Sequence, residues 1–213
     1  MMLKEELEQL VTCLPKGSSL IRRRIDEMIA DLDARRVAAN AVAEGEIVPD
    51  FILPSVGGDR FSLEAQTRRG PVVLIFYRGT WCPYCIEQLT DLGRLLPAFV
   101  QSGATVAAIA PAAAVPAAEH LLGFPLLTDH GNRVARLYGL TWRIPADVAA
   151  LYRRRGIDLP ALNGTRDWQL PLAASYVVDR GQVARFAVVD VDYRARVSLD
   201  TLLAVVRRLG DVA

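Results

Sequence analysis

Leu3, Leu7, Leu10, Val11 and Leu14 recur at helical spacing, and Pro15-Lys16-Gly17-Ser18 breaks the chain after them. Ile21, Ile25, Met28 and Leu32 repeat the pattern behind a Ser18/Ser19 cap, so residues 1–43 are expected to form an N-terminal helical hairpin. Such a hairpin either covers a face of the core or builds a homodimer interface, and the pattern is compatible with both. From "VPDFILPSVGGDRFSL" onward the apolar positions fall in short extended pieces around a Gly57-Gly58-Asp59 turn, which predicts a β-hairpin.

Strands and helices then alternate. Residues 72–77 are a continuous, partly β-branched apolar run that suits a strand buried on both faces. Residues 83–101 have a helical pattern, with Pro97 marking a kink or a break. A strand over 105–110, a short helix over 116–122, an extended piece over 125–128 and a helix over 131–138 ending at Gly139 follow. Residues 141–172 are rich in proline and glycine around one helical segment and are expected to be an insertion. A strand over 175–179, a turn at Arg180-Gly181, a strand over 183–189 and an amphipathic helix over 198–209 close the chain. This order predicts an α/β fold in which residues 44–213 form a mixed central sheet with flanking helices.

Composition removes several functional classes. A chain of 213 residues with 52% hydrophobic content can bury a full core. No run approaches the roughly 18 apolar residues that would span a bilayer, so no membrane is expected. Acids are spread among the bases and the net charge is +1, which leaves no footprint for nucleic acid. "MMLKEELEQL" lacks the apolar centre of a secretory signal, and the cytoplasm is the expected compartment. Three cysteines do not make a disulfide scaffold.

The chemistry concentrates in "FYRGTWCPYC", Phe76 to Cys85. A buried strand running into a helix aims free backbone N–H groups and the positive end of the helix dipole at whatever sits there. Cys82 falls at the N-cap, and Pro83 falls at the first helical position, where its missing N–H costs nothing. A cysteine so placed is held as thiolate more readily than a free thiol, whose pKa is about 8.5. Cys85 lies about one turn on, within reach of a disulfide. Zinc would need four ligands, and only His120, His130 and distant Cys13 could join the pair, so neither a metal nor another cofactor is expected. Cys13 itself is expected to be buried structurally or to bridge two chains.

"WCPYC" resembles the Cys-x-x-Cys centre of the thioredoxin superfamily, and its Pro83-Tyr84 dipeptide is similar to that of glutaredoxins. The rest of the chain resembles the peroxiredoxin branch, the alkyl hydroperoxide reductase and thiol-specific antioxidant family. "EGEIVPDFILPSVGG", "VVLIFY", "PLLTDHGNRVARLYGL" and "SYVVDRGQVARFAVVD" are similar to four segments of that family, in its order. The resemblance implies a thioredoxin-like fold with peroxiredoxin-type elaborations.

The resemblance leaves the order of the two thiols open. Counted without gaps from Phe76-Tyr77, the family's peroxidatic cysteine falls on Cys85, its threonine on Cys82 and its proline on Arg78. Matching the Cys-Pro step instead puts it on Cys82, with Thr80 nearby, and helix-start geometry favours Cys82. The arginine that the family supplies from a late strand falls around Ala173, which cannot do that job. Arg78 is the expected substitute, since a guanidinium beside the pair would hold a thiolate and polarise a peroxide. Tyr77, Trp81, Pro83 and Tyr84 are expected to line the substrate pocket.

The activity implied is a thiol-dependent peroxidase acting on hydrogen peroxide or organic hydroperoxides. It would run through a sulfenic acid and a Cys82–Cys85 disulfide and be regenerated by a thioredoxin- or glutaredoxin-type donor. The alternatives are a thiol-disulfide oxidoreductase acting on protein or glutathione disulfides, and a non-enzymatic redox sensor.

Overall fold

A computed structural model of the protein describes residues 2–10, 19–112 and 114–210. Two N-terminal helices, α1 (Met2–Leu10) and α2 (Ser19–Ala34), lead through a 3-10 turn at Val37–Asn40 to the hairpin β1 (Ile52–Pro54) and β2 (Arg60–Ser62). After α3 (Leu63–Thr67) comes β3 (Val72–Phe76), every residue of which is buried. Then follow α4 (Pro83–Gln101), β4 (Thr105–Ala110), α5 (Pro116–Leu122), β5 (Leu126–Thr128) and α6 (Arg133–Leu137). The 141–172 region holds β6 (Thr141–Arg143), α7 (Ala146–Arg154), α8 (Leu159–Leu162) and β7 (Gln169–Pro171). The chain closes with β8 (Ala173–Val178), β9 (Ala184–Asp190) and α9 (Leu199–Gly210).

The central sheet has the order β5-β4-β3-β8-β9. β3 pairs parallel with β4, and β4 with β5, whereas β8 and β9 are antiparallel. β3 is therefore the middle strand, paired on both sides, and its unbroken apolar sequence follows from that position. α4 leaves its end and packs against α1, α5 and α9. The mixed sheet predicted from the sequence is the sheet observed.

Three local features refine the expectations. α4 runs through Pro97 without ending, and its last turn is fastened by the Ser102 N–H donating to the carbonyls of Ala98 and Phe99. The insertion carries a second short helix and a two-stranded antiparallel sheet of β6 and β7, more structure than its proline and glycine content suggested. Buried Asp129 sits before α6, where its carboxylate accepts the N–H groups of Val134 and Ala135 at 3.0 and 2.9 Å.

The N-terminal helices pack on their own chain. Leu7 of α1 and Ile25, Met28 and Leu32 of α2 are buried in the common core. α1 lies on α4 and α5, and α2 meets α7. Those four side chains cover a face of the core. Val11, Cys13, Leu14 and the Pro15-Lys16-Gly17-Ser18 break lie outside the described residues. No helix among the described residues is long and apolar enough to cross a membrane.

Candidate active site

The site is built where β3 turns into α4. Gly79 has φ 137°, and a Cβ there would meet Trp81 Nε1 at 2.6 Å, so the turn that folds Trp81 back over Arg78 requires glycine. Cys82 is the N-cap of α4, with φ −92° and ψ 116°, and Pro83 opens the helix. Its carbonyl accepts from the N–H groups of Cys85 and Ile86 at 3.0 and 3.1 Å. Both cysteines are free thiols, 1% and 0% exposed respectively.

Arg78 is only 2% exposed, and none of the described acids forms an ion pair with it. Aromatic faces take the place of a counter-ion. The guanidinium carbon lies 3.7 Å from the ring centre of Tyr193, 4.7 Å from Trp81 and 5.7 Å from Tyr152. One nitrogen, Nη2, donates to the Tyr152 hydroxyl, and Nη1 reaches Cys82 Sγ at 4.0 Å. Nε has no partner.

A second arginine attends the other thiol. Arg196, in the segment leading to α9, brings Nη2 to 3.5 Å from Cys85 Sγ. It also lines a cavity of about 150 Å³ together with Ala173, Ser175 and Gln88. The guanidinium absent from position 173 is thus supplied to the same space from another part of the chain.

These surroundings separate the two thiols. Burial pushes Cys85 up, but the hydrogen bond donated by the Cys82 S–H, then the charges of Arg196 and Arg78 and the Arg78 backbone N–H, outweigh it and bring Cys85 down to about 6. Cys82 is pushed up, first by burial and then by its hydrogen bond to Cys85 and the charge there, with Arg78 opposing. Helix-start geometry favours Cys82 as the attacking thiol, whereas the nearer guanidinium contact belongs to Cys85.

Of the residues expected from the sequence, Arg78, Trp81, Cys82, Pro83 and Tyr84 line one cavity, and Cys85 lies one turn further along α4. Tyr77 is buried in the core and does not line that cavity, and Thr80 is half-buried with no hydrogen bond to either thiol. Tyr152, Tyr193 and Arg196 complete the site and were not read from the sequence. Tyr152 shares the apolar stripe of α7 with Val148 and Ala149, which marks it as inward-facing but not toward what. Arg196 is one of many arginines, and nothing local distinguishes it. Among the described residues no group of three or more His, Cys, Asp or Glu side chains is arranged to hold a metal.

A buried dithiol at the start of a helix that leaves the middle strand of a mixed sheet defines a peroxiredoxin-like protein of thioredoxin fold. The sequence model of the AhpC/TSA family matches residues 45–186, and the chain belongs to that family. It is 30% identical over 155 residues to the chloroplastic peroxiredoxin Q of Oryza sativa subsp. japonica, a match covering 71% of this chain and 61% of the relative. The chain therefore spans about three fifths of that curated relative's length. Among solved structures, peroxidoxin BcpB from Mycobacterium tuberculosis superposes with a TM-score of 0.60 at 20% identity, covering 79% of this chain and 98% of its own. A peroxiredoxin Q from Xanthomonas campestris does so with a TM-score of 0.59 at 18% identity, covering 80% and 99%. These two likenesses show the shared fold.

Proposed function

We propose that the protein is a thiol-dependent peroxidase in which Cys85 attacks the peroxide and Cys82 resolves. The observation that carries this reading is the Arg196 guanidinium, whose Nη2 lies 3.5 Å from Cys85 Sγ, closer than Arg78 Nη1 lies to Cys82 Sγ. A thiolate so held attacks one peroxide oxygen, giving a Cys85 sulfenic acid and an alkoxide or hydroxide that takes up a proton. The Cys82 thiol then condenses with the sulfenic acid, forming the disulfide and releasing water. A small peroxide would reach Cys85 by way of the cavity that Arg196 lines, and Arg196 is placed to polarise the leaving oxygen. Membership of the family and likeness to peroxiredoxin Q support this chemistry. A thiol donor would close the cycle by exchange. The packing of the N-terminal helices on their own core gives no support to a homodimer through them.

The test is peroxide consumption with dithiothreitol as reductant, using wild type, Cys82→Ser and Cys85→Ser. Wild type is expected to outpace free thiol, Cys85→Ser to match free thiol, and Cys82→Ser oxidised before reductant is added to carry a Cys85 sulfenic acid in place of the disulfide. Wild type no faster than free thiol, combined with reduction of a model protein disulfide, would select the oxidoreductase alternative.

A further inference from the structure

The cavity that Cys82 lines measures about 70 Å³, and its walls are of two kinds. Ile21 and Ile25 of α2 with Leu151 and Ile157 make it apolar, while Arg22, Arg155 and Arg194 stand around the same space as Arg78. None of its described lining residues is an aspartate or glutamate. Arg194 is already paired with Asp26 and Asp192. Arg22 at the mouth and Arg78 at the floor have no ion pair among the described residues. Arg22 and Arg78, charges without an ion pair beside an apolar wall, select a small molecule that carries a carboxylate.

The dithiol cycle specifies what that molecule does. Once the Cys82–Cys85 disulfide has formed, a donor thiolate must attack one sulfur and expel the other. Cys85 is the better leaving group because Arg196 Nη2 stands 3.5 Å from its sulfur, and Cys82 is the sulfur that lines the cavity. About 70 Å³ admits the thiol-bearing arm of a small molecule.

We infer that this cavity is the recycling entrance for an anionic low-molecular-weight thiol, with its carboxylates on the arginine rim and its sulfur directed at Cys82; this rests on the dithiol cycle proposed above. The donor thiolate forms a bond to Cys82 Sγ, the Cys82–Cys85 bond breaks, and Cys85 leaves as thiolate. A second donor thiolate attacks the sulfur of the bound donor, releasing the donor's disulfide and Cys82 as thiolate, which regains its proton.

Glutathione is a suitable probe, and its diethyl ester carries the same thiol with both carboxylates capped. Protein oxidised by one equivalent of hydrogen peroxide, mixed briefly with glutathione and quenched in acid, is expected to carry the mixed disulfide on Cys82; finding it on Cys85 overturns the inference. In steady-state peroxide consumption the diethyl ester is expected to have a roughly tenfold lower kcat/KM than glutathione, the worth of one charge-assisted contact. Equal values overturn the inference. Arg22→Glu is expected to erase most of that preference, whereas Arg207→Glu, the same charge change on the exposed face of α9, keeps it. A preference untouched by Arg22→Glu overturns the assignment of the rim. Turnover with a thioredoxin system while glutathione is idle also overturns it. Turnover with dithiothreitol but no preference for glutathione over its ester defeats this inference alone, and no turnover with any reductant defeats the peroxidase reading itself.

Discussion

The two sulfurs of the site are three residues apart and live in different surroundings. Cys82 faces a cavity walled by α2, α7 and the ring of Trp81, above an arginine stacked on aromatic faces. Cys85 has no exposed surface, and the Arg196 guanidinium lies 3.5 Å from its sulfur. The difference suits a division of labour. In the proposed cycle, charge is held on the inner sulfur and the donor reaches the outer one. A disulfide between them then has a stabilised leaving group on one side and an approachable sulfur on the other.

The comparison breaks most completely at Cys85. Cys85→Ser is expected to slow peroxide reduction at least about a thousandfold, because the remaining thiol is protonated and serine is a poor nucleophile at neutral pH. Stopped-flow oxidation with a redox dye reads this directly. Arg196→Gln comes next, with oxidation at neutral pH about twofold slower for the first pKa unit that Cys85 rises and approaching roughly tenfold for each further unit. The thiolate is the deprotonated form, so the wild-type rate is expected to be flat above a pH of about 6 and to fall roughly tenfold per unit below it. Arg196→Gln moves that fall to higher pH, and Arg196→Lys restores part of the charge without the planar fork.

Smaller effects sharpen the two sides separately. Ala173→Leu fills the cavity beside Arg196 and is expected to slow oxidation roughly fivefold by displacing the guanidinium, while leaving reduction by the donor unchanged. Single-turnover measurements of each half-reaction check it. Tyr152→Phe leaves Arg78 Nη2 without its acceptor and is expected to cost about 1–3 kcal/mol of stability in urea unfolding. Its pH profile of oxidation should move least, since the neighbours of Cys85 are intact.

The sequence revealed what is contiguous. An apolar run, Arg78, a glycine and Cys-Pro-x-Cys place a dithiol at the junction of a middle strand and a helix, and the junction is there at Phe76 and Pro83. The order of elements predicted the mixed sheet, because periodicity and turn residues are local properties. The donors that decide which thiol is charged are not local. Tyr152 lies 74 residues from Arg78, and Arg196 lies 111 residues from Cys85. Helix-start geometry favoured Cys82 because it weighs the backbone around each cysteine and omits a guanidinium arriving from the approach to α9. Thr80, the expected partner in the alternative register, makes no hydrogen bond to either sulfur once that turn is folded.

The central claim is that Cys85 carries the thiolate. Ultraviolet thiolate absorbance, titrated in reduced protein with Cys13→Ser in every sample, tests it most directly when wild type is compared with Cys82→Ser and Cys85→Ser. The account predicts one thiol titrating near 6 in wild type, lost in Cys85→Ser and retained in Cys82→Ser, whose hydroxyl still donates to the inner sulfur. A thiolate near 6 that survives Cys85→Ser and disappears in Cys82→Ser would contradict it.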